Sequence, residues 1–183
     1  MSLPASLGGH ERARLFLALP LPTEAKRLLA PWQQAELPGV RLVEPPNLHV
    51  TLAFLGWTPV GRYGEIASAL GEAARKASRP VLTVSGYRET RSVAMLVFDD
   101  REGRATSLAD DLHGRLERLG VYEWERRAWL PHLTVARFRR PPRLRPPLPD
   151  LGEVSPSEAA VYLSRLRPGG AQYEILESVA LGG

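Results

Sequence analysis

Residues 43–56 read Val-Glu-Pro-Pro-Asn-Leu-His-Val-Thr-Leu-Ala-Phe-Leu-Gly, and residues 131–138 read Pro-His-Leu-Thr-Val-Ala-Arg-Phe. Each stretch carries a His-x-Thr-x with apolar x just after a proline-containing turn, at His49 and at His132. With 7 threonines in 183 residues, a given histidine has Thr two places on roughly 4% of the time by chance, yet two of the four histidines do. Both stretches read as strands, and side chains at i and i+2 of a strand share a face. His49 therefore points with Thr51, and His132 with Thr134. The alternation sends Val50, Leu52 and Phe54 to the core on the first strand, and Leu133 and Val135 on the second. Ala53 and Ala136 continue the His/Thr faces with small side chains. A face of His, Thr and Ala is a poor core face and a good wall for a polar cleft. If the two strands lie side by side, two imidazoles and two hydroxyls converge on one small volume.

Outward from the motifs, short apolar runs at 14–19, 81–87, 93–98, 159–166 and 172–181 read as further strands. A hairpin is expected across Glu89 to Ser92 and another across Pro168-Gly169-Gly170. Helical spacing places Ala25, Leu28, Leu29 and Trp32 on one stripe, with Thr23 as N-cap. It likewise groups Ile66, Leu70, Ala73 and Ala77, then Leu108, Leu112, Leu116 and Leu119, with Gly120 as a stop. The second half repeats the layout of the first. Strands joined by short turns and interleaved with helices predict an α+β fold with mainly antiparallel sheet. No linker divides residues 1–183, so one domain is expected.

Composition narrows the class. With 44% apolar and 24% charged residues the chain is neither disordered nor fibrous. The absence of cysteine excludes disulfides, thiolate metal sites and a cysteine nucleophile. No apolar run is long enough to span a membrane, and residues 1–14 lack the apolar core of a signal peptide, so the expected location is the cytoplasm. The formal charge is +4, and of the 24 basic residues only Lys26 and Lys76 are lysine. Residues 126–149 hold Arg126, Arg127, Arg137, Arg139, Arg140, Arg143 and Arg145 and no Asp or Glu. That window alone carries +7, which leaves −3 for the rest and predicts an arginine-lined approach to His132 for an anionic partner.

Two imidazoles of ordinary pKa near 6.5 can hold opposite protonation states near neutral pH. One can take a proton from an attacking oxygen while the other gives one to a departing oxygen. That meets the requirement for cleaving a phosphodiester by in-line displacement without a metal, with threonine hydroxyls donating to the non-bridging oxygens. Thr is a poor metal ligand, and no paired carboxylate stands at ligand spacing, so no catalytic metal is expected. His10 and His113 lack this context and read as solvated or structural.

The two motifs resemble the signatures of the bacterial and archaeal RNA 2′,3′-cyclic phosphodiesterases, formerly called 2′-5′ RNA ligases, within the two-histidine phosphoesterase superfamily. RLFLALPLP at 14–22 and VYLSRLRPGGAQY at 161–173 resemble that family's opening strand and closing hairpin. The resemblance implies two pseudo-symmetric lobes of antiparallel sheet backed by helices, with the site in a cleft between them. It implies hydrolysis of RNA or nucleotide 2′,3′-cyclic phosphates to 2′-phosphomonoesters without metal or cofactor. His49 would be the proton donor, His132 the proton acceptor, and Thr51 and Thr134 would bind the phosphate. No membrane or obligate protein partner is implied. Leu130 and Gln172 stand where the family often has arginine. Arg137 matches a basic position five residues after the second histidine, although strict alternation turns it away from His132. Either a bulge re-aims it or it contacts RNA outside the phosphate pocket. Alternative readings are 2′-5′ ligation by the same site and a non-catalytic RNA-binding module on the same fold.

Overall fold

The computed structural model describes residues 3–123, 128–167 and 170–182. Among them run three helices, α1 (Thr23–Glu36), α2 (Tyr63–Lys76) and α3 (Arg104–Arg118), at the three places where the apolar spacing predicts them. Eight strands accompany them: β1 (Arg12–Pro20), β2 (Arg41–Leu42), β3 (His49–Pro59), β4 (Thr83–Glu89), β5 (Val93–Asp99), β6 (His132–Arg137), β7 (Glu158–Arg167) and β8 (Gly170–Ala180). The expected α+β class holds, and every pairing between these strands is antiparallel. Thr23 is not the cap of α1 but its first residue; Pro22, extended at ψ 148°, occupies the cap position. Of the turn expected at 168–170, residues 168 and 169 lie outside the described residues, and the flanking strands pair down to Arg167 and Gly170.

The strand order is β4-β5-β6-β3-β1-β7-β8, with β2 paired to β6. The two halves thus form one continuous sheet, and among the described residues β3 and β6 meet at a single registered pair, Val50 with Leu133. Beyond it β6 turns to β2, through Leu42 with Ala136 and Arg41 with Arg137. A two-residue strand is too short to leave a period in sequence. Alternation along β1 and β7 separates the two faces of the sheet. Leu15, Leu17, Leu19, Ala159, Val161 and Leu163 enter a large core to which all three helices contribute. Phe16, Ala18, Ala160 and Tyr162 form a second, small cluster with Tyr173 packed against it.

Strict alternation fails in the motif strands, and it fails the same way in both. On β3 the register with β1 steps from Ala18↔Thr51 to Leu17↔Ala53, leaving Leu52 as an extra residue. On β6 the register with β5 steps from Met95↔Thr134 to Ala94↔Ala136, leaving Val135 as the extra residue. A bulge at the third residue after each histidine reverses the parity downstream. Ala53 and Ala136, expected beside the histidines, are buried in the large core. Phe54, expected in the core, is 49% exposed. A second step between Phe16↔Phe54 and Leu15↔Gly56 lets β3 run on past Gly56, whose φ of +66° suits glycine.

Each bulge is held by a buried polar side chain from a helix. Gln33 of α1 donates from Nε2 to the Val135 carbonyl at 2.8 Å and to the Val43 carbonyl at 3.1 Å. His113 of α3 donates from Nε2 to the Leu52 carbonyl at 2.7 Å and stacks on Tyr122. The adjoining Thr51 carbonyl accepts from the Trp129 indole at 3.1 Å. A ladder interrupted by an extra residue leaves a carbonyl to satisfy, and these side chains satisfy it. Gln33→Leu and His113→Leu should each lower unfolding stability by about 1–3 kcal/mol, read by chemical denaturation. Unchanged stability in both would contradict this role.

Candidate active site

The bulges decide which side chains meet. Extending the Val50↔Leu133 register by one residue each way sets His49 opposite Thr134 and Thr51 opposite His132. The histidines are therefore diagonal neighbours across the pair, about 7–8 Å apart at Cα, a spacing that leaves room for a tetrahedral centre between them. Their local settings are alike. His49 donates from Nδ1 to the Asn47 carbonyl at 2.7 Å, and His132 donates from Nδ1 to the Leu130 carbonyl at 2.9 Å. A carbonyl only accepts, so Nδ1 carries the proton in both rings and Nε2 is left to exchange one.

A cavity of about 430 Å³ opens at this place, and His49, Thr51, Thr134 and Arg137 line it. His132 is not on its wall. The bulge at Val135 settles the direction of Arg137, which faces the cavity and donates from a guanidinium N–H to the Tyr173 hydroxyl at 3.4 Å. The bulge at Leu52 places Phe54 at the same offset from His49, and Phe54 also lines the cavity. The two halves of the sheet thus present His, Thr and one further side chain each: an aromatic ring from β3, a guanidinium from β6.

Sequence reasoning missed several contributors. Arg14 of β1 donates to the Ser164 hydroxyl at 2.9 Å and lies over the Phe54 ring at 4.7 Å, while Arg41 comes from β2; both line the cavity. Phe16 and Tyr173 approach the His49 ring at 4.8 and 5.3 Å, and Tyr162 lies at 5.6 Å. Period-two alternation within β1, set against the position of Phe16, marks that ring as facing away from the leucines. It does not say which histidine the ring meets. Of the predicted arginine-lined approach, Arg137 alone among the described residues reaches the cavity wall. The backbone amides of Arg143 and Leu144 donate to the Glu89 carboxylate, which ties this segment to the end of β4. Arg126 and Arg127 lie outside the described residues.

Burial governs the electrostatics of His49. Burial lowers the pKa of His49 to about 4; Arg137 and His132 add repulsion in the same direction, and the bond to Asn47 opposes them. His49 is neutral near pH 7 until an anion arrives. An anion beside it reverses the sign: it offsets the arginine and favours the imidazolium. Arg14, Arg41 and Arg137 converge on the cavity against one carboxylate, Glu44. Among the described residues no three His, Asp or Glu side chains gather as a metal-ligating group, and no helix is long and apolar enough to cross a membrane. The cavity wall suits an anion, with one imidazole, two threonine hydroxyls and three guanidinium groups along it, and His132 stands on the neighbouring strand outside that wall.

Known proteins share this architecture. An RNA 2′,3′-cyclic phosphodiesterase of Thermus thermophilus is 33% identical over 93% of this chain and 91% of its own length. One from Methanocaldococcus jannaschii is 25% identical over 90% of this chain and 98% of its own. The crystal structure of Escherichia coli LigT in apo form superposes with a TM-score of 0.80 at 25% identity, covering 95% of this chain and 100% of that one. LigT complexed with 3′-AMP gives 0.77 at 25% identity over 94% and 99%. Residues 19–92, which run from the end of β1 to the β4–β5 turn and include the first motif, match the family described as LigT like Phosphoesterase. With likeness along nearly the whole length and one sheet joining both motifs, the chain belongs to the LigT-like phosphoesterase family.

Proposed function

We propose that this protein hydrolyses 2′,3′-cyclic phosphates at RNA or nucleotide ends to 2′-phosphomonoesters, without a metal. The observation that carries the reading is the pair of Nδ1-anchored histidines on adjacent strands, each with a threonine on the same face. Relatives named as RNA 2′,3′-cyclic phosphodiesterases and the LigT complex with a nucleotide support it.

In this reading the cyclic phosphate enters the cavity between β3 and β6, its non-bridging oxygens accepting from the Thr51 and Thr134 hydroxyls. Arg137 sets its charge against the phosphate. The anion raises the His49 pKa, so His49 takes up a proton as substrate binds. His132 Nε2 accepts a proton from water, whose oxygen attacks phosphorus in line with the bond to O3′. That bond breaks, and His49 Nε2 delivers its proton to O3′. The products are a 2′-phosphomonoester and a free 3′-hydroxyl, and a net proton transfer through solvent restores both imidazoles. Threonine donors aimed at oxygens whose charge grows in the transition state lower the barrier more than they tighten ground-state binding.

Single replacements His49→Ala and His132→Ala should each reduce turnover of a 2′,3′-cyclic mononucleotide by about 10²–10⁴, while EDTA leaves wild-type turnover unchanged. Full activity in either variant, or loss on chelation, would contradict the assignment. Proton uptake on binding gives a second test by histidine NMR. In the free protein His49 should titrate near pH 4, and saturating phosphate should move that titration upward. Phosphate affinity should then rise as pH falls towards the free value. A His49 that stays neutral in the phosphate complex at pH 6 would exclude it as the proton donor.

A further inference from the structure

Past Arg14 the surface opens into a second cavity of about 400 Å³. Arg14, Ser164 and Leu166 line both cavities, so the two are contiguous and share a wall. The outer cavity is lined by Arg12, Arg165 and Arg167 besides Arg14 and, among the described residues, by no Asp or Glu. Arg165 also contacts the Glu174 carboxylate at 3.4 Å, which offsets part of its charge. On the same rim stands Trp57, 59% exposed, with its carbonyl accepting from the Arg12 guanidinium at 2.6 Å. An indole left this exposed loses the burial that ordinarily justifies tryptophan, and here it stands among cations.

Guanidinium groups beside an exposed aromatic ring match single-stranded nucleic acid: the cations track phosphates, and a base stacks on the ring whatever its identity. Position strengthens the match. A 2′,3′-cyclic phosphate ends a strand at its 3′ side, so the rest of an RNA substrate leaves the site in the 5′ direction. A mononucleotide needs only the first cavity; a strand has further phosphates and bases to place. We propose that the second cavity is a subsite for the nucleotides 5′ of the reacting end, with backbone phosphates on Arg12 and Arg167 and a base on Trp57. This inference rests on the phosphodiesterase reading above and adds to it a place on this surface for the strand that carries the reacting end.

The test compares kcat/KM for a 2′,3′-cyclic mononucleotide and for a tetranucleotide ending in a 2′,3′-cyclic phosphate, in wild type, Trp57→Ala and Arg167→Ala. Trp57→Ala should lower the tetranucleotide value about tenfold or more and leave the mononucleotide value within about twofold. Arg167→Ala should weaken the salt dependence on the tetranucleotide by about 0.7 in log–log slope, the share of one phosphate contact on a single strand. Mononucleotide turnover serves as the folding control for both variants. Parallel losses on the two substrates, or no loss on either, would overturn the subsite while leaving the phosphodiesterase reading intact. Turnover of neither substrate by the wild type would overturn that reading and the subsite with it.

Discussion

The register between Val50 and Leu133 is the constraint on which the site depends. Among the described residues it is the only registered pair between β3 and β6, and it sets a His/Thr pair from one half against a Thr/His pair from the other. A slip of one strand by one residue would send its histidine and threonine to the opposite face and part them from the other pair. The register is protected by burial, since Val50 and Leu133 are both fully buried in the large core. Apolar packing on one face of the sheet therefore specifies polar chemistry on the other.

Near-symmetry extends to the defects. The bulges at Leu52 and Val135 follow their histidines by the same number of residues, and each is satisfied by a buried polar group from a helix packed beneath. The rotated side chains, Phe54 and Arg137, are where the halves differ most in chemistry. A common frame with one differing side chain per half breaks the equivalence of two like histidines. His49 also has three aromatic rings close by, which help bury it and lower its pKa.

Much of this was legible in the chain itself. Three helices announced themselves through leucine and alanine at helical spacing, and the strands through short apolar runs between turns, because one-sided burial imposes those periods. The pairing of His49 with Thr51 and of His132 with Thr134 followed from alternation alone. What alternation could not carry was its own interruption. A bulge leaves no mark on the residue that forms it, so Phe54 was assigned to the core and Ala53 and Ala136 to the cleft, each on the wrong side. The direction of Arg137, open at the level of sequence, needed the same information. Arg14, Arg41 and Tyr173 come from three different strands and meet only through the strand order β6-β3-β1-β7-β8 and the side pairing of β2. The arginine-rich run at 137–145 drew attention by density, whereas the cationic surface beside the site is assembled from residues scattered along the chain.

The central claim is that one histidine activates water while the other, across the strand pair, protonates the oxygen that leaves in line with it. The regiochemistry of ring opening tests this most directly. After incubation with a 2′,3′-cyclic mononucleotide, ³¹P NMR should show the 2′-phosphomonoester as the sole product, because O3′ alone receives the proton. A 3′-phosphate, or a mixture of the two isomers, would contradict the account.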